Sequence, residues 1–395
     1  MHYVNFAGET VSRLGFGAMR LPQLEDGSID EAQVNEMVAY AFENGVNYFD
    51  TAYPYHNGLS EILLSRALKQ FPRSDYFLAT KYPGHQIAEE YDPADIFEEQ
   101  LKKCDVDYFD FYLLHNVYEK SLPVYFDSRW GIVDYFVEQR RAGRIKKLGF
   151  STHAMLPCLT EFLERYGSLM DFAQIQMNYL DWSVQDGPEK YELLAKYGLD
   201  VIVMEPVRGG SLADLGEQNN ARLKALEPDR SVASWALRWQ LGTPAKVVLS
   251  GMSTLEQTRD NVSTFNDCTP LSADETKVLE DIAAGMQDNI PCTACGYCTS
   301  SCPQEIDIPT LMHLANDVRV APSFNVGMQV EALEVGKRPQ DCIGCQSCEA
   351  MCPQNIPIAQ VLHDFAETQS GLPSWEVLCK ARAEAAAKLR AQGGA

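Results

Sequence analysis

Short apolar segments alternate with amphipathic segments between residues 13 and 265. Each apolar segment is brief and hydrophobic along its whole length, which is typical of strands buried on both faces of a parallel sheet. We therefore predict eight strands, at 14–21, 47–52, 77–82, 109–115, 146–153, 172–178, 200–207 and 245–252.

The segments between these strands have helical periodicity. In 31–45 the apolar residues fall on one helical face and a glycine follows them: Val34, Met37, Val38, Ala41, Phe42 and Gly45. Eight strands, each followed by a helix, predict an α/β fold of the (βα)8 TIM-barrel type. An open doubly wound sheet is the alternative, but we find no G-x-G-x-x-G at a first strand–helix turn. Residues 1–12 predict a hairpin around Ala7 and Gly8 that closes the barrel floor.

Composition and charge narrow the class of protein. The chain has 395 residues, a hydrophobic fraction of 46% and a net charge of −22. An acidic surface repels phosphate backbones and anionic lipids, so we expect no nucleic-acid and no membrane partner, although the charge could serve solubility alone. The sequence contains no bilayer-length apolar run, and its first residues lack the features of a signal peptide, so we expect a cytoplasmic protein.

Four polar residues follow three successive predicted strands. Asp50 and Tyr55 follow the second strand, Lys81 the third and His115 the fourth. In a barrel of this kind the chemistry lies at the carboxyl ends of the strands. A tyrosine can donate a proton to an oxygen, an ammonium can lower the tyrosine pKa, a carboxylate can hold the ammonium, and a histidine can orient a carbonyl. Each residue alone could be structural, but together they predict carbonyl chemistry.

The same region resembles the aldo/keto reductase family. The resemblance lies in "FDTAYPYHNGLSE" (49–61), "ATKY" (79–82), "LLHN" (113–116), "GFST" (149–152) and "VLSGMSTLEQTRDN" (248–261). It implies that Asp50, Tyr55, Lys81 and His115 form the catalytic tetrad of the family, with Tyr53 at the wrong step of the pattern. It also implies reversible hydride transfer between NAD(P)H and an aldehyde or ketone, with a small carbonyl or alcohol as substrate.

The resemblance further implies a cofactor site. Ser151 and Gln174 would hold the nicotinamide carboxamide, with Gln176 as the alternative to Gln174. The other implied contacts lie at the pyrophosphate (Gly209, Gly210, Ser211) and at the adenosine end (Ser253, Thr254, Gln257, Asn261). Many members have a stacking aromatic residue where this chain has Met204. Gly251 and Gln257 replace the residues that often bind a 2′-phosphate, so NADH and NADPH both stay open, with Arg208 or Arg259 as substitutes.

Eight of the twelve cysteines form two copies of one motif. "CTACGYCTSSCP" (292–303) and "CIGCQSCEAMCP" (342–353) both have the spacing C-x2-C-x2-C-x3-C-P, the bacterial ferredoxin pattern for [4Fe–4S] clusters. A single motif could bind zinc, but two complete copies favour two clusters. In two-cluster ferredoxins the fourth cysteine of each motif binds the other cluster. We therefore expect Cys292, Cys295, Cys298 and Cys352 on one cluster and Cys342, Cys345, Cys348 and Cys302 on the other.

These patterns predict three parts of the chain: a barrel (1–287), a small, mainly α-helical two-cluster ferredoxin-like domain (288–370) and a helical tail (371–395), whose alanine-rich segment 380–395 is expected to fray. The combination resembles a branch of the aldo/keto reductases with a C-terminal iron–sulfur domain.

Three hypotheses for the roles of the clusters and the barrel follow. The clusters could support structure or partner docking beside a carbonyl reductase, they could exchange electrons with a ferredoxin-like carrier, or the barrel could be only a scaffold. The complete tetrad argues against the scaffold, and the absence of a flavin pattern weakens the electron-exchange hypothesis.

Overall fold

A closed barrel of parallel strands occupies the centre of the N-terminal part. The structure is a computed structural model and describes residues 1–391 except 287–289, 291, 293, 320–321 and 353. Within these residues the barrel has eight strands: β3 (Leu14–Gly17), β4 (Tyr48–Asp50), β5 (Phe77–Tyr82), β6 (Phe109–Val117), β7 (Ile145–Thr152), β8 (Phe172–Gln176), β9 (Asp200–Met204) and β10 (Val247–Gly251). Neighbours in the sequence are neighbours in the sheet, and β10 pairs with β3 to close it. The predicted (βα)8 barrel is confirmed.

An N-terminal hairpin closes the floor of the barrel, as predicted. Its strands are β1 (Tyr3–Phe6) and β2 (Glu9–Ser12), and the two turn residues, Ala7 and Gly8, have φ values of 48° and 89°. Two positive φ values favour a glycine in such a hairpin turn. Phe6 is completely buried, with its ring centroid 5.4 Å from those of Phe111 and Phe172.

Helices surround the barrel and follow its strands. They are α1 (Glu31–Glu43), α2 (Ser60–Leu68), α3 (Pro93–Cys104), α4 (Leu122–Phe126), α5 (Ile132–Arg141), α6 (Leu156–Tyr166), α7 (Asp181–Val184), α8 (Gly187–Lys196), α9 (Glu217–Leu226), α10 (Val232–Gln240), α11 (Leu255–Asp267) and α12 (Ala273–Met286). Side-chain caps define several starts, such as Asp30 for α1, which accepts from the Gln33 N–H at 3.0 Å. Of the helices described, none has both the length and the apolarity needed to cross a bilayer.

The C-terminal part is mainly helical and has its own core. Its helices are α13 (Ile308–Val318), α14 (Phe324–Ala332), α15 (Ile358–Ser370) and α16 (Trp375–Ala391). Ile306, Leu311, Leu362 and Phe365 are buried together there, separately from the barrel core. The proposed boundary between 287 and 288 lies outside the described residues.

This C-terminal part lies on the carboxyl ends of the barrel strands. The Asn325 amide donates to Gln176 Oε1 at 3.2 Å, and the Gln329 amide donates to the His153 carbonyl at 2.7 Å. The Arg208 guanidinium donates to the Asp317 carbonyl. The helical domain therefore covers the face of the barrel at which the predicted catalytic residues lie.

The last helix returns to the barrel. In α16, Trp375 and Cys379 are buried, and the Trp375 indole N–H donates to the His85 carbonyl at 3.2 Å. Near the other end of the helix, Arg390 pairs with Glu99 and donates to the Tyr53 hydroxyl at 2.8 Å. The segment from 380 onward, which was expected to fray, is helical as far as Ala391, and contacts with the barrel hold the helix near both ends. Residues 392–395 lie outside the described part.

Candidate active site and cluster ligands

A buried ion pair joins the ends of β4 and β5. The Lys81 ammonium pairs with the Asp50 carboxylate and donates to the Thr51 carbonyl at 2.7 Å. Both Lys81 and Asp50 are only 1% exposed. Burial alone would lower the pKa of Lys81, but Asp50 and Tyr55 outweigh it and raise that pKa. The ammonium is therefore charged and fixed in position.

Tyr55 lies beside this ion pair, in a short 3-10 turn after β4. The Lys81 Nζ atom is 5.0 Å from the centroid of the Tyr55 ring. Burial raises the pKa of Tyr55, and the Lys81 ammonium opposes that rise. His56 and Asn57, the next two residues, have positive φ values of 50° and 56°. The His56 Nε2 atom accepts from the Leu21 N–H at 3.1 Å and so helps to hold this turn.

His115 faces Tyr55 from the end of β6. The two rings meet edge to face, with centroids 5.7 Å apart. Burial lowers the pKa of His115 well below its usual range, and the charges of His85, Lys81 and Arg382 lower it further. Among the described residues no partner bonds the His115 Nδ1 atom. The imidazole is neutral and free to hydrogen-bond a carbonyl oxygen.

His85 and Trp375 extend this group of rings, and the sequence did not indicate either of them. The His85 ring centroid lies 4.2 Å from that of His115 and 5.4 Å from that of Trp375. The His115 carbonyl also contacts the His85 Nδ1 atom at 2.8 Å and accepts from the Tyr125 hydroxyl at 2.7 Å. His85 follows Lys81 by four residues, so the polar residues just beyond a strand end could have indicated it. Trp375 is too distant in sequence for any local signal.

Ser151 and Gln174 face each other on neighbouring strands. They are register partners in β7 and β8, and both are 1% exposed. The Ser151 Oγ and Gln174 Oε1 atoms are buried, and no described residue bonds them. Buried polar atoms normally have partners, so this pair fits the amide of a bound ligand. Gln176, the alternative, is already bonded to Asp181 at 2.9 Å and to Asn325.

The loop after β9 has a backbone that favours glycine. Gly209 and Gly210 have φ values of 66° and 102°. A Cβ atom on Gly209 would lie 3.1 Å from the Arg20 guanidinium, so a side chain there would crowd the loop. The Ser211 hydroxyl donates to the Arg208 carbonyl at 2.8 Å. A bound pyrophosphate could therefore approach the backbone closely.

The four remaining residues predicted to bind the cofactor lie at the end of β10 and on α11. Thr254 caps α11 and accepts from the Gln257 N–H at 3.2 Å, and Gln257 Oε1 accepts from the Ser253 N–H at 2.8 Å. Asn261 is buried, and its amide donates to the Ser250 hydroxyl at 3.0 Å. The structure thus brings Ser253, Thr254 and Gln257 to an exposed helix start and places Asn261 below them.

Two small cavities in the helical domain each bring together cysteines from both motifs. One is lined by Cys292, Cys295, Cys298 and Cys352, and the other by Cys342, Cys345, Cys348 and Cys302. Apolar residues such as Ile308 complete both walls. All twelve cysteines of the chain, each within the described part, are free thiols. Four thiols around each apolar cavity fit an iron–sulfur cluster.

Comparison with known proteins decides the family. The model of the aldo/keto reductase family matches residues 13–284. The chain belongs to the aldo/keto reductase family. A model of the 4Fe-4S dicluster domain matches residues 291–357, so the chain is an aldo/keto reductase-type oxidoreductase with a fused 4Fe-4S dicluster domain. The family uses NAD(P)H.

Individual relatives support this assignment. The "NADH-specific methylglyoxal reductase" of Escherichia coli is 25% identical over 324 residues, which cover 70% of this chain and 96% of that protein. The "Probable aldo-keto reductase 1" of Glycine max is 28% identical over 54% of this chain, and the match spans only 61% of that protein. The holo form of aldo-keto reductase AKR11C1 from Bacillus halodurans is 27% identical, with a TM-score of 0.59 over 71% of this chain and 96% of that one.

The structure also bears on Arg208 and on the loop that follows β6. Arg208, one candidate for binding a 2′-phosphate, bonds Asp181 at 2.9 Å and the Asp317 carbonyl, so its charge is already paired. The loop at 116–130 carries several aromatic residues. Tyr118 and Tyr125 are 1% exposed and belong to the main core, so they bury the loop.

Proposed function

We propose that this aldo/keto reductase reduces an aldehyde or ketone to an alcohol, or catalyses the reverse reaction, with Tyr55 as the proton donor. The observation that carries the proposal is the buried Lys81–Asp50 pair beneath the Tyr55 ring, with a neutral His115 opposite. A fixed ammonium stabilises the phenolate that remains after proton transfer. The His115 imidazole would hydrogen-bond the carbonyl oxygen and orient it towards Tyr55.

The chain's own residues would hold the nicotinamide cofactor. A bound NAD(P)H supplies the hydride. Ser151 and Gln174 would bond its carboxamide, since their buried oxygen atoms have no other described partner. Gly209, Gly210 and Ser211 would lie against the pyrophosphate, and Ser253, Thr254, Gln257 and Asn261 would surround the adenosine end. The helical domain would exclude water from the nicotinamide, because Asn325 and Gln329 lie directly over the barrel mouth.

The direct test is an assay of the anaerobically purified protein with its iron–sulfur domain intact. NADH or NADPH oxidation would be followed with a panel of aldehydes and ketones, and alcohol formation would be measured by chromatography. We expect one alcohol formed for each nicotinamide oxidised. Tight nicotinamide binding without turnover of any carbonyl or alcohol would contradict the proposal.

Ser151→Ala and Gln174→Ala are each expected to weaken nicotinamide binding about tenfold, the effect of losing one hydrogen bond of about 1.4 kcal/mol. The dissociation constant would be measured by quenching of protein fluorescence. Gln176→Ala is the matched control, because its amide bonds Asp181 and Asn325 instead. If Gln176→Ala weakened binding and Gln174→Ala did not, the carboxamide contact would belong to Gln176.

Gln257→Arg is expected to raise the preference for NADPH over NADH about tenfold. Gln257 lies in the first turn of α11, where a guanidinium could pair with a 2′-phosphate beside the helix N-terminus. The ratio of kcat/KM for the two cofactors measures the effect. Glu256→Gln changes the net charge by the same one unit at the neighbouring exposed position. An equal change in both variants would mean that net charge, and not a specific contact, sets the preference.

We also propose that the helical domain binds two [4Fe–4S] clusters with crossed ligands. Cys292, Cys295, Cys298 and Cys352 would bind one, and Cys342, Cys345, Cys348 and Cys302 the other. The lining of the two cavities supports this assignment. None of the twelve cysteines, all of them within the described residues, forms a disulfide, which fits a reducing compartment such as the cytoplasm.

One observation favours electron exchange as a second candidate function. Helix α13 lines the cavity of Cys292 with Ile308, Pro309 and Met312, and it lines a cavity at the barrel mouth with His313 and Asp317. A helix is about 10 Å across, so one cluster would lie close to the nicotinamide site. Cys295 and Cys345, one from each motif, are exposed at the surface and would face a ferredoxin-like carrier.

Addition of NADH or NADPH to the oxidised protein under anaerobic conditions distinguishes electron exchange from a structural or docking role of the clusters. Cluster absorbance and the electron paramagnetic resonance signal would be followed, with dithionite as the positive control. Reduction by nicotinamide would support the electron-exchange function and require a mediator. Reduction by dithionite alone would leave the clusters with a structural or docking role.

A further inference from the structure

A cavity of about 300 Å³ lies between α16 and the mouth of the barrel. Tyr53 and Pro54, which line it, directly precede Tyr55, and Tyr82 and Pro83, which also line it, directly follow Lys81. The cavity therefore adjoins the two strand ends that carry the proton donor and its ammonium. Its volume suits a small molecule of a few carbon atoms.

Arg382 lines this cavity, and no described residue provides it with a counter-ion. Its guanidinium lies 5.1 Å from the centroid of the Trp375 ring, and among the described residues it forms neither an ion pair nor a hydrogen bond. The other arginine of α16 at this cavity, Arg390, pairs with Glu99. Burial lowers the pKa of Arg382, so the surroundings penalise the charge that no acid compensates. An uncompensated guanidinium in a partly buried cavity favours an anionic ligand.

The charge of Arg382 also reaches the catalytic group. It lowers the pKa of His115 together with burial, His85 and Lys81. The Trp375 ring, against which Arg382 lies, stacks on His85, whose ring contacts His115. Arg382 thus lines a cavity beside the ends of β4 and β5, whereas the proposed nicotinamide residues lie on β7 and β8.

Acidic residues lie only at the outer rim of the cavity. Glu90, Asp92 and Asp95 are exposed, and Asp92 is occupied in capping α3, where it accepts from the Ala94 N–H at 2.9 Å. Exposed carboxylates are screened by solvent and salt, whereas the partly buried Arg382 is screened less. In a chain with a net charge of −22, a local cation is also needed to attract an anion.

We propose that Arg382 binds a carboxylate of the carbonyl substrate, so that the preferred substrates are short aldehyde or keto acids. This inference rests on the proposed function and adds the substrate class to it. Arg382 is a binding residue: it holds the acid end of the substrate while the carbonyl end lies between Tyr55 and His115. Because the cavity has a volume of only about 300 Å³, we expect substrates whose carboxylate and carbonyl are a few carbons apart.

The test compares a four-carbon aldehyde acid with its methyl ester, which has the same carbonyl and no charge. For the wild-type enzyme we expect kcat/KM to be at least about tenfold higher with the acid. Arg382→Gln should lower kcat/KM for the acid about 30-fold, mainly through KM, and leave the ester unchanged. Arg382→Lys should retain part of the preference. Arg390→Gln, on the same helix, should leave the acid-to-ester ratio unchanged.

The possible outcomes are distinct. Equal kcat/KM for acid and ester in the wild-type enzyme would overturn the inference and leave the proposed function standing. An equal loss with both substrates in Arg382→Gln would also overturn it, because Arg382 would then act by positioning the catalytic group. Failure of the wild-type enzyme to turn over any carbonyl would remove the proposed function itself. Thermal unfolding of both arginine variants shows whether α16 stays in place.

Discussion

Replacement of Tyr55 by phenylalanine is expected to lower kcat/KM for carbonyl reduction about 10³-fold and to leave nicotinamide binding unchanged. The change removes only the phenolic hydroxyl. The ring remains to fill the space between Lys81 and His115, so the site keeps its shape. The carbonyl oxygen then has no positioned proton donor, because Lys81 is engaged by Asp50 and His115 is neutral.

Tyr53→Phe is the matched control. It removes the same atom two residues earlier, where the hydroxyl donates to Glu99 at 3.1 Å and accepts from Arg390. We expect normal turnover from Tyr53→Phe and a small loss of stability from the lost contacts with α3 and α16. The reduction rate and the dissociation constant of the cofactor would be measured for both variants. Turnover retained by Tyr55→Phe and lost by Tyr53→Phe would move the proton donor to Tyr53.

The barrel was predictable because its physical causes are local. A strand buried on both faces must be apolar along its whole length, so eight such segments separated by amphipathic helices leave few alternatives. Asp50, Tyr55, Lys81 and His115 follow from the same pattern, since the carboxyl ends of parallel strands meet on one face. The structure brings these four side chains together and fixes their contacts.

The covering of the barrel mouth was not predictable from local patterns. Trp375 reaches His85 across 290 residues of sequence, and Asn325 reaches Gln176 across 149. No periodicity encodes such contacts, because they depend on how two separately folded cores pack. For the same reason the alanine-rich segment after residue 380 was expected to fray. Its sequence is weakly amphipathic, and its order comes from the residues that anchor the helix at each end.

Contacts between the helical domain and α16 connect the cluster-binding part of the chain to the active site without any electron transfer. The backbone N–H of Trp375 donates to the Glu331 carboxylate at 2.6 Å, so the start of α16 is tied to α14 of the helical domain. Trp375 in turn lies against His85, and Arg382 lies against Trp375. A domain whose fold depends on bound clusters would thereby hold in place the wall of the cavity that Arg382 lines. Structural clusters and an active barrel are compatible in this arrangement.

Cys352→Ser is expected to remove the cluster held by the first cysteine motif, so that iron falls from about eight to about four atoms per chain. Cys352 belongs to the second motif in sequence, but it lines the cavity of Cys292, Cys295 and Cys298. Serine is a poor ligand for these clusters, so the loss of one thiolate from four leaves the site incomplete. Iron, acid-labile sulfide and the resonance signal of the dithionite-reduced protein would be measured. Cys158→Ser, which changes a buried cysteine of the barrel core, should keep full iron.

Double variants decide whether the ligands cross. With crossed ligands, Cys295→Ser combined with Cys352→Ser affects one cluster twice, so iron stays at about half. Cys295→Ser combined with Cys302→Ser affects both clusters, and nearly all iron is lost. If each motif bound its own cluster, the two results would be exchanged. Because both double variants remove two cysteines from the same small domain, a general loss of folding would deplete iron equally in both, and only crossed ligands predict more iron in the first.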